Sequence, residues 1–220
     1  MGISKNIVFN RKIHKNERLW PKVQSHFLTP VFFVEYAGMS DELNIRNTKY
    51  YLKQGGQVIN LQKDPFFKSL VDKIKISVKH IAEHWYKAKK GYKVDVVSLW
   101  VNSNENGQFH APHNHTNTFM SGVLMLDGKT DTNDYPNLKF LRPYANPIMP
   151  QVEKFNELNS NVLQFNTEKD CVAFFPSYLY HYVDTNKNKT PRISIAFDTI
   201  LRGKYGEIGP RGQTVGDYRI

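Results

Sequence analysis

The sequence predicts a mainly β protein of the α+β class, an antiparallel sandwich or jelly roll with N-terminal helices packed on one of its sheets. Three observations predict it. Between Lys93 and Leu201 the chain breaks into seven short runs rich in β-branched and aromatic residues, separated by polar turns such as Asn104-Glu-Asn-Gly107, Asp127-Gly128 and Asn186-Lys-Asn-Lys189. One strongly amphipathic helix precedes these runs. The chain has 220 residues, 40% of them hydrophobic, which fills one sizeable domain and is too little for two.

Taken in order, residues 1–27 form a basic, polar arm with no signal-peptide core. Leu28-Thr-Pro-Val-Phe-Phe-Val-Glu-Tyr36 then reads as a first strand, entered at Pro30 where a missing N–H is tolerated. Ser40 to Tyr51 fits a short helix and Gly55-Gly56 a turn. The main helix starts with Asp64 as N-cap and Pro65 at its first position. Phe67, Leu70, Val71, Ile74, Val78, Ile81, Ala82 and Trp85 lie on one face at 3.6-residue spacing, the lysines lie on the other, and Gly91 ends it. The strands come next, at Lys93–Asn102, Gln108–His115, Phe119–Leu126, Leu138–Arg142, Val162–Phe165, Val172–Val183 and Arg192–Leu201. They complete a single domain over residues 28–201. Beyond it, residues 202–220 form a Gly-rich tail with Gly203, Gly206, Gly209 and Gly212 spaced by three, too few triplets for a collagen helix and so a flexible or extended arm.

Composition narrows the function classes. A charged fraction of 23% with 13% aromatics excludes intrinsic disorder, and no apolar run approaches the roughly 18 residues a membrane span needs. One cysteine, Cys171, excludes an intramolecular disulfide framework and a Cys-rich zinc ribbon, so a cytoplasmic location is expected. Gly2 invites myristoylation, but Asn6 stands where that pattern needs Ser or Thr. Thirty Lys and Arg against twenty Asp and Glu give a net charge of +10, concentrated in residues 1–24 and in the nine lysines of residues 63–93. Such a balance would attract a polyanion, either nucleic acid or an acidic protein, although a solvated basic surface that keeps the protein soluble is the commoner explanation of such a charge. Oligomeric state leaves no mark on the sequence.

The chemistry concentrates in His110-Ala-Pro-His113-Asn-His115, which holds three of the eight histidines. On an extended strand residues i and i+2 share a face, so His113 and His115 can present two imidazoles to one ion. His110 with His113 is the poorer pair, because i and i+3 on a strand face opposite ways. A third ligand must come from elsewhere, and His181 closes the apolar run that begins at Cys171. His14, His26, His80 and His84 lie outside the strands and read as ordinary surface or packing residues. Eleven residues beyond His181, Arg192 and Ser194 share one face of the last strand with the small Ala196, a fork and a hydroxyl suited to a carboxylate.

These residues carry a family resemblance. The His-x-His pair, a further histidine 68 residues after His113, and Arg-x-Ser after that resemble the iron(II) and 2-oxoglutarate-dependent oxygenase superfamily. Trp100-Val-Asn102, Pro112-His-Asn-His115, Ser121-Gly-Val-Leu, Phe174-Phe-Pro-Ser-Tyr-Leu-Tyr-His181 and Arg192-Ile-Ser-Ile-Ala-Phe197 resemble more specifically an oxygenase branch common in marine bacteria and tailed phages. The resemblance covers residues 28–201 and implies a double-stranded β-helix with a metal at the mouth of the barrel. It implies Fe(II) on His113, His115 and His181, with 2-oxoglutarate as co-substrate on Arg192 and Ser194 and no catalytic residue beyond the metal ligands. It departs in one place: most members put a carboxylate where this chain has His115.

The expected function is therefore a 2-oxoglutarate-dependent dioxygenase that hydroxylates an unidentified substrate, with the segment Gly128–Ser160 covering the pocket mouth. Two rivals belong to other classes. One is a non-catalytic structural or binding protein, for example a phage particle component found in the virion, that keeps the jelly roll. The other is a three-histidine metalloenzyme without a co-substrate, either a cupin-like oxygenase or a zinc hydrolase.

Overall fold

A computed structural model describes residues 29–44, 57–126, 136–144, 150–156, 159–165, 168–208 and 214–219. The basic arm with His14 and His26, the Gly55-Gly56 turn and parts of the segment Gly128–Ser160 lie outside the described residues. Residues Pro30–Arg202 make one compact unit, and 1–29 with 203–220 a second.

Two antiparallel sheets form the first unit. The larger uses β1 (Phe32–Glu35), β2 (Gln57–Val58), β3 (Lys93–Asn104), β5 (Met120–Met125), β8 (Cys171–Pro176) and β10 (Arg192–Arg202), in the order β1-β8-β5-β10-β3-β2. The smaller uses β4 (His110–His113), β6 (Leu138–Leu141), β7 (Val162–Phe165) and β9 (His181–Val183), in the order β4-β9-β6-β7. This is the jelly roll that the alternating short strands predict. Between the sheets lies an apolar core of Val123, Met125, Leu138, Phe140, Ala173, Phe175, Leu179, Val183 and Ala196.

The large sheet is buried on both faces, which explains why its strands read as continuous apolar runs. On the outer side Leu99, Val101, Leu124, Phe174, Ile195 and Phe197 are fully buried, and the main helix, α2 (Lys68–His80), packs against β3. Gly122 sits here between β8 and β10, opposite Phe174 and Phe197, whose rings meet edge to face at 5.4 Å. A Cβ at Gly122 would lie 2.3 Å from the Phe197 ring and 2.8 Å from the Ala173 carbonyl oxygen. No side chain fits there.

The helical segment begins as predicted and ends differently. The Asp64 carboxylate accepts the Phe66 N–H at 2.9 Å and Pro65 opens a 3-10 turn, Pro65–Phe67, that leads into α2. Leu70, Val71, Ile74 and Val78 are buried, as the spacing requires. After His80 the backbone widens into a π turn, Ile81–Trp85, in which the Tyr86 N–H reaches the Ile81 carbonyl. That extra residue per turn rotates the end of the helix, so Trp85 is 67% exposed instead of joining the core face and meets Phe32 edge-on at 5.5 Å. Of the predicted Ser40–Tyr51 helix, the described residues form α1 (Met39–Leu43), ended by Asn44 in a left-handed conformation, and residues 45–51 lie outside the described residues.

Two further predicted strands are corrected. Val172–Val183 is not one strand. Its ladder stops at Pro176, residues 177–180 turn with the Leu179 N–H on the Pro176 carbonyl, and the chain resumes as β9 in the other sheet. Gln108–His115 shortens to β4. In the second unit, β11 (Lys204–Ile208) pairs antiparallel with β12 (Thr214–Arg219), so the residues read as a Gly-rich arm include a β-hairpin. Among the described residues no helix is long and apolar enough to cross a membrane.

Overpacking a filled site costs roughly 1–3 kcal/mol, and at Gly122 one neighbour is backbone that cannot rotate away. Gly122→Ala should therefore lower stability by about 2 kcal/mol or more, read as the urea midpoint, and Phe197→Leu in the same chain should restore part of it.

Candidate metal and acid site

The inner faces of the two sheets build the site, and on β10 the side chains arrive there by strand periodicity. On β10, Arg192, Ser194, Ala196 and Asp198 face inward, opposite Asn104, Asn102, Trp100 and Ser98 of β3. On the smaller sheet Leu138 and Phe140 of β6 face Val183 and His181 of β9. The cavity between them measures about 330 Å³, and Phe109, His110, His113, His115 and Phe175 are among the residues that line it. That volume suits a small molecule and not a large one.

Three imidazoles converge in it. One ring nitrogen from each of His113, His115 and His181 lies within 4.8 Å of the others, with ring centroids 4.3 to 5.3 Å apart. Each Nδ1 already has an acceptor. His113 meets the Ala111 carbonyl at 2.7 Å, His181 the Leu179 carbonyl at 3.0 Å, and His115 the Asp198 carboxylate at 2.5 Å. Each Nδ1 therefore carries the proton, and Nε2 is the nitrogen left to a cation. Phe175 at 4.6 Å packs on the His181 ring and Trp100 at 5.6 Å on the His115 ring, which fixes both planes.

The donor set fits a divalent cation. Burial pushes the His181 ring down to about 4, with His113 and His115 adding to the effect and the Leu179 carbonyl opposing it. His181 is therefore neutral near pH 7 and ready to donate a lone pair. His110 is likewise pushed down to about 4, by burial first and then by the Arg192 guanidinium and His113.

The predicted histidines do meet, but not by the strand alternation that selected them. β4 ends at His113, so His115 does not reach the cluster by alternation. Its backbone N–H bonds to the Ser177 carbonyl at 2.8 Å, and Asp198 holds its ring. His110 does not face away from His113 either. A register irregularity between them sets His110 opposite Val183 and His113 opposite His181, so both line the cavity. His110 stands outside the three-imidazole cluster, within electrostatic reach of Arg192. His80 and His84 are exposed and stack on each other at 4.2 Å, away from the site.

Arg192 is only 2% exposed, a buried guanidinium bordering the cavity. Its Nη1 donates to Ser194 Oγ at 3.0 Å and its Nη2 to Met125 Sδ at 3.1 Å. Because Ser194 Oγ accepts from arginine, its own O–H is left to donate. Two donors on one wall of the cavity suit an acid. Sequence reasoning missed Asp198, and it quoted Ser121 and Asn102 within motifs without giving either a place in the site. Asp198 was within reach, since the period of two that joins Arg192 to Ser194 and Ala196 continues to it; Ser121 on β5 and Ser177 in the turn after β8 are brought together only by the fold.

Comparison with known proteins bears on this site. Residues 98–198 match the family described as "Putative 2OG-Fe(II) oxygenase". No curated protein matches the chain in sequence. Among solved structures, the chain resembles the non-heme alpha ketoglutarate dependent epimerase SnoN from nogalamycin biosynthesis, with a TM-score of 0.59 at 14% identity over 82% of this chain and 80% of that one. It also resembles a prolyl-4-hydroxylase of Pseudomonas putida, with a TM-score of 0.55 at 12% identity over 80% of this chain and 89% of that one. HygX from Streptomyces hygroscopicus, solved with nickel and 2-oxoglutarate bound, has a TM-score of 0.57 at 10% identity over 78% of this chain and 82% of that one. At such identities the likeness is one of fold.

A buried neutral histidine makes the stability of the metal-free protein depend on pH. Between the unfolded value near 6.5 and the folded value of about 4, the unfolded chain binds a proton that the native chain does not. Stability should therefore fall as pH drops through that window, by on the order of 2 kcal/mol between pH 7 and 5 from His181 alone, with His110 adding to it. Urea denaturation of wild type and His181→Asn at both pH values measures this, and the variant should show the shallower dependence.

Proposed function

We propose that this chain is a non-haem Fe(II)- and 2-oxoglutarate-dependent oxygenase that hydroxylates a C–H bond of its substrate. The observation that carries the reading is one cavity in which three imidazoles converge and a buried Arg192–Ser194 pair borders the same space. The match of residues 98–198 and the fold shared with the alpha ketoglutarate dependent epimerase and the prolyl-4-hydroxylase support it.

In this reading His113, His115 and His181 hold Fe(II) through Nε2. Arg192 and Ser194 hold the far carboxylate of 2-oxoglutarate, the guanidinium as an ion pair and the hydroxyl as a further donor. When bound, iron and co-substrate couple oxidative decarboxylation by O2 to hydroxylation, so that 2-oxoglutarate, O2 and R–H become succinate, CO2 and R–OH. The protein's own part is positioning and exclusion. Trp100, Val123, Leu138, Phe175 and Ala196 give the cavity apolar walls that keep it dry, and the Nδ1 acceptors fix each imidazole before the cation arrives. The net charge of +10 favours an anionic substrate.

Anaerobic titration of Fe(II) and then 2-oxoglutarate tests the reading. His181→Ala should abolish iron binding in a folded protein. Arg192→Ala should weaken 2-oxoglutarate binding by about 3 kcal/mol, roughly a hundredfold, because the acid keeps its desolvation cost without its ion pair. Ser194→Ala should cost only about 1 kcal/mol. Neither change should alter iron affinity. Failure of the wild type to bind 2-oxoglutarate would leave the structural protein or the co-substrate-free metalloenzyme.

A further inference from the structure

We propose that Asp198 is the anionic partner of the metal site, supplying through the His115 imidazole the negative charge that a ligand carboxylate supplies in a two-histidine, one-carboxylate site. This rests on the reading of His113, His115 and His181 as the iron ligands.

The three imidazoles are not alike. Those of His113 and His181 rest on neutral backbone carbonyls, whereas His115 alone rests on a carboxylate, 2.5 Å from its Nδ1. His115 is also the residue standing where the related pattern has an acid. Its side chain and that of Asp198 are 14% and 13% exposed, so solvent screens the pair little. Asp198 is held in turn. The same Oδ1 accepts the Ser121 hydroxyl at 2.6 Å, Ser121 Oγ lies 2.9 Å from Ser177 Oγ, and the Ser177 carbonyl accepts the His115 N–H at 2.8 Å. Ring and backbone of His115 are thus tied into one closed network. β10 sets Asp198 opposite Ser121 and Ser98, beside the irregularity that separates it from Thr199.

A carboxylate accepting the Nδ1 proton draws it away from the ring and makes Nε2 a stronger donor. Three imidazoles with neutral partners would leave a dication uncompensated among apolar walls. With Asp198 one bond further out, the charge of the usual acid ligand is present although the ligand atom is nitrogen. The arrangement also constrains the obvious reversal. An aspartate placed at position 115 would lose the Nδ1 donor and set a second carboxylate toward Asp198, so the substitution should work only when Asp198 is neutralised as well.

The test is anaerobic Fe(II) titration of the full chain, with the Fe(III)/Fe(II) potential of the bound iron as a second readout and thermal unfolding of the metal-free forms as the control. Asp198→Asn keeps an acceptor for Nδ1 and removes only the charge. It should weaken iron binding by roughly ten- to a hundredfold and raise the potential, since the lost anion favoured the ferric state. His115→Asp should bind iron less tightly than the double variant His115→Asp, Asp198→Asn, which poses the question in a second background. Wild-type affinity and potential in Asp198→Asn would overturn the proposal and leave Asp198 a mere prop. Iron retained in His115→Ala but lost in Asp198→Ala would also overturn it, by placing Asp198 on the ion itself. Iron binding untouched by His113→Ala and His181→Ala would instead remove the iron site on which the proposal stands.

Discussion

Strand β10 is paired on both sides, to β3 and β5, and covered on both faces, and the site depends on that constraint. Ile193, Ile195 and Phe197 cannot leave the outer core without opening fully buried volume, so the residues between them have no choice of direction. Arg192, Ser194, Ala196 and Asp198 are thereby delivered to the inner side in fixed order. A slip of one residue would turn the guanidinium toward the apolar outer face and Phe197 toward the cavity. Gly122 belongs to the same constraint, since its missing side chain lets the Phe174 and Phe197 rings close over the centre of the sheet.

Charge is distributed unevenly over the cavity this creates. A buried guanidinium stands on one wall and a carboxylate behind His115 on another, while His110 and His181 are held neutral by burial. A cavity of this kind is costly by itself, because polar groups and a cation are withheld from water that would otherwise solvate them. An acid near Arg192 and a dication among the imidazoles would each relieve part of that cost, which is how the reading as an iron and 2-oxoacid site fits the energetics as well as the geometry. Solved structures with only 10–14% identity share the fold. A fold carries no chemistry by itself, so the residues on the inner face bear the functional conclusion.

The sheet-switching corner after Pro176 matters for the same reason. A single long strand from Cys171 to Val183 would keep His181 in the large sheet, remote from β4. The turn at residues 177–180 moves it to the small sheet, opposite His113, and in passing gives the Ser177 carbonyl to His115. Two of the three imidazoles are thus placed by one corner.

The sequence by itself determined the layers, because alternation and 3.6-residue spacing are local consequences of which side chains must leave water. It also determined the residues that meet, His113, His115, His181, Arg192 and Ser194, since their types and order are rare in combination. It did not determine how they meet. The irregularity that turns His110 and His113 to one side, the π turn that expels Trp85 and the corner that divides the predicted strand Val172–Val183 each answer to partners distant in the chain. Asp198 lay on a face the sequence could read, but its value comes from an imidazole 83 residues away, and that pairing exists only once β10 is seated between β3 and β5.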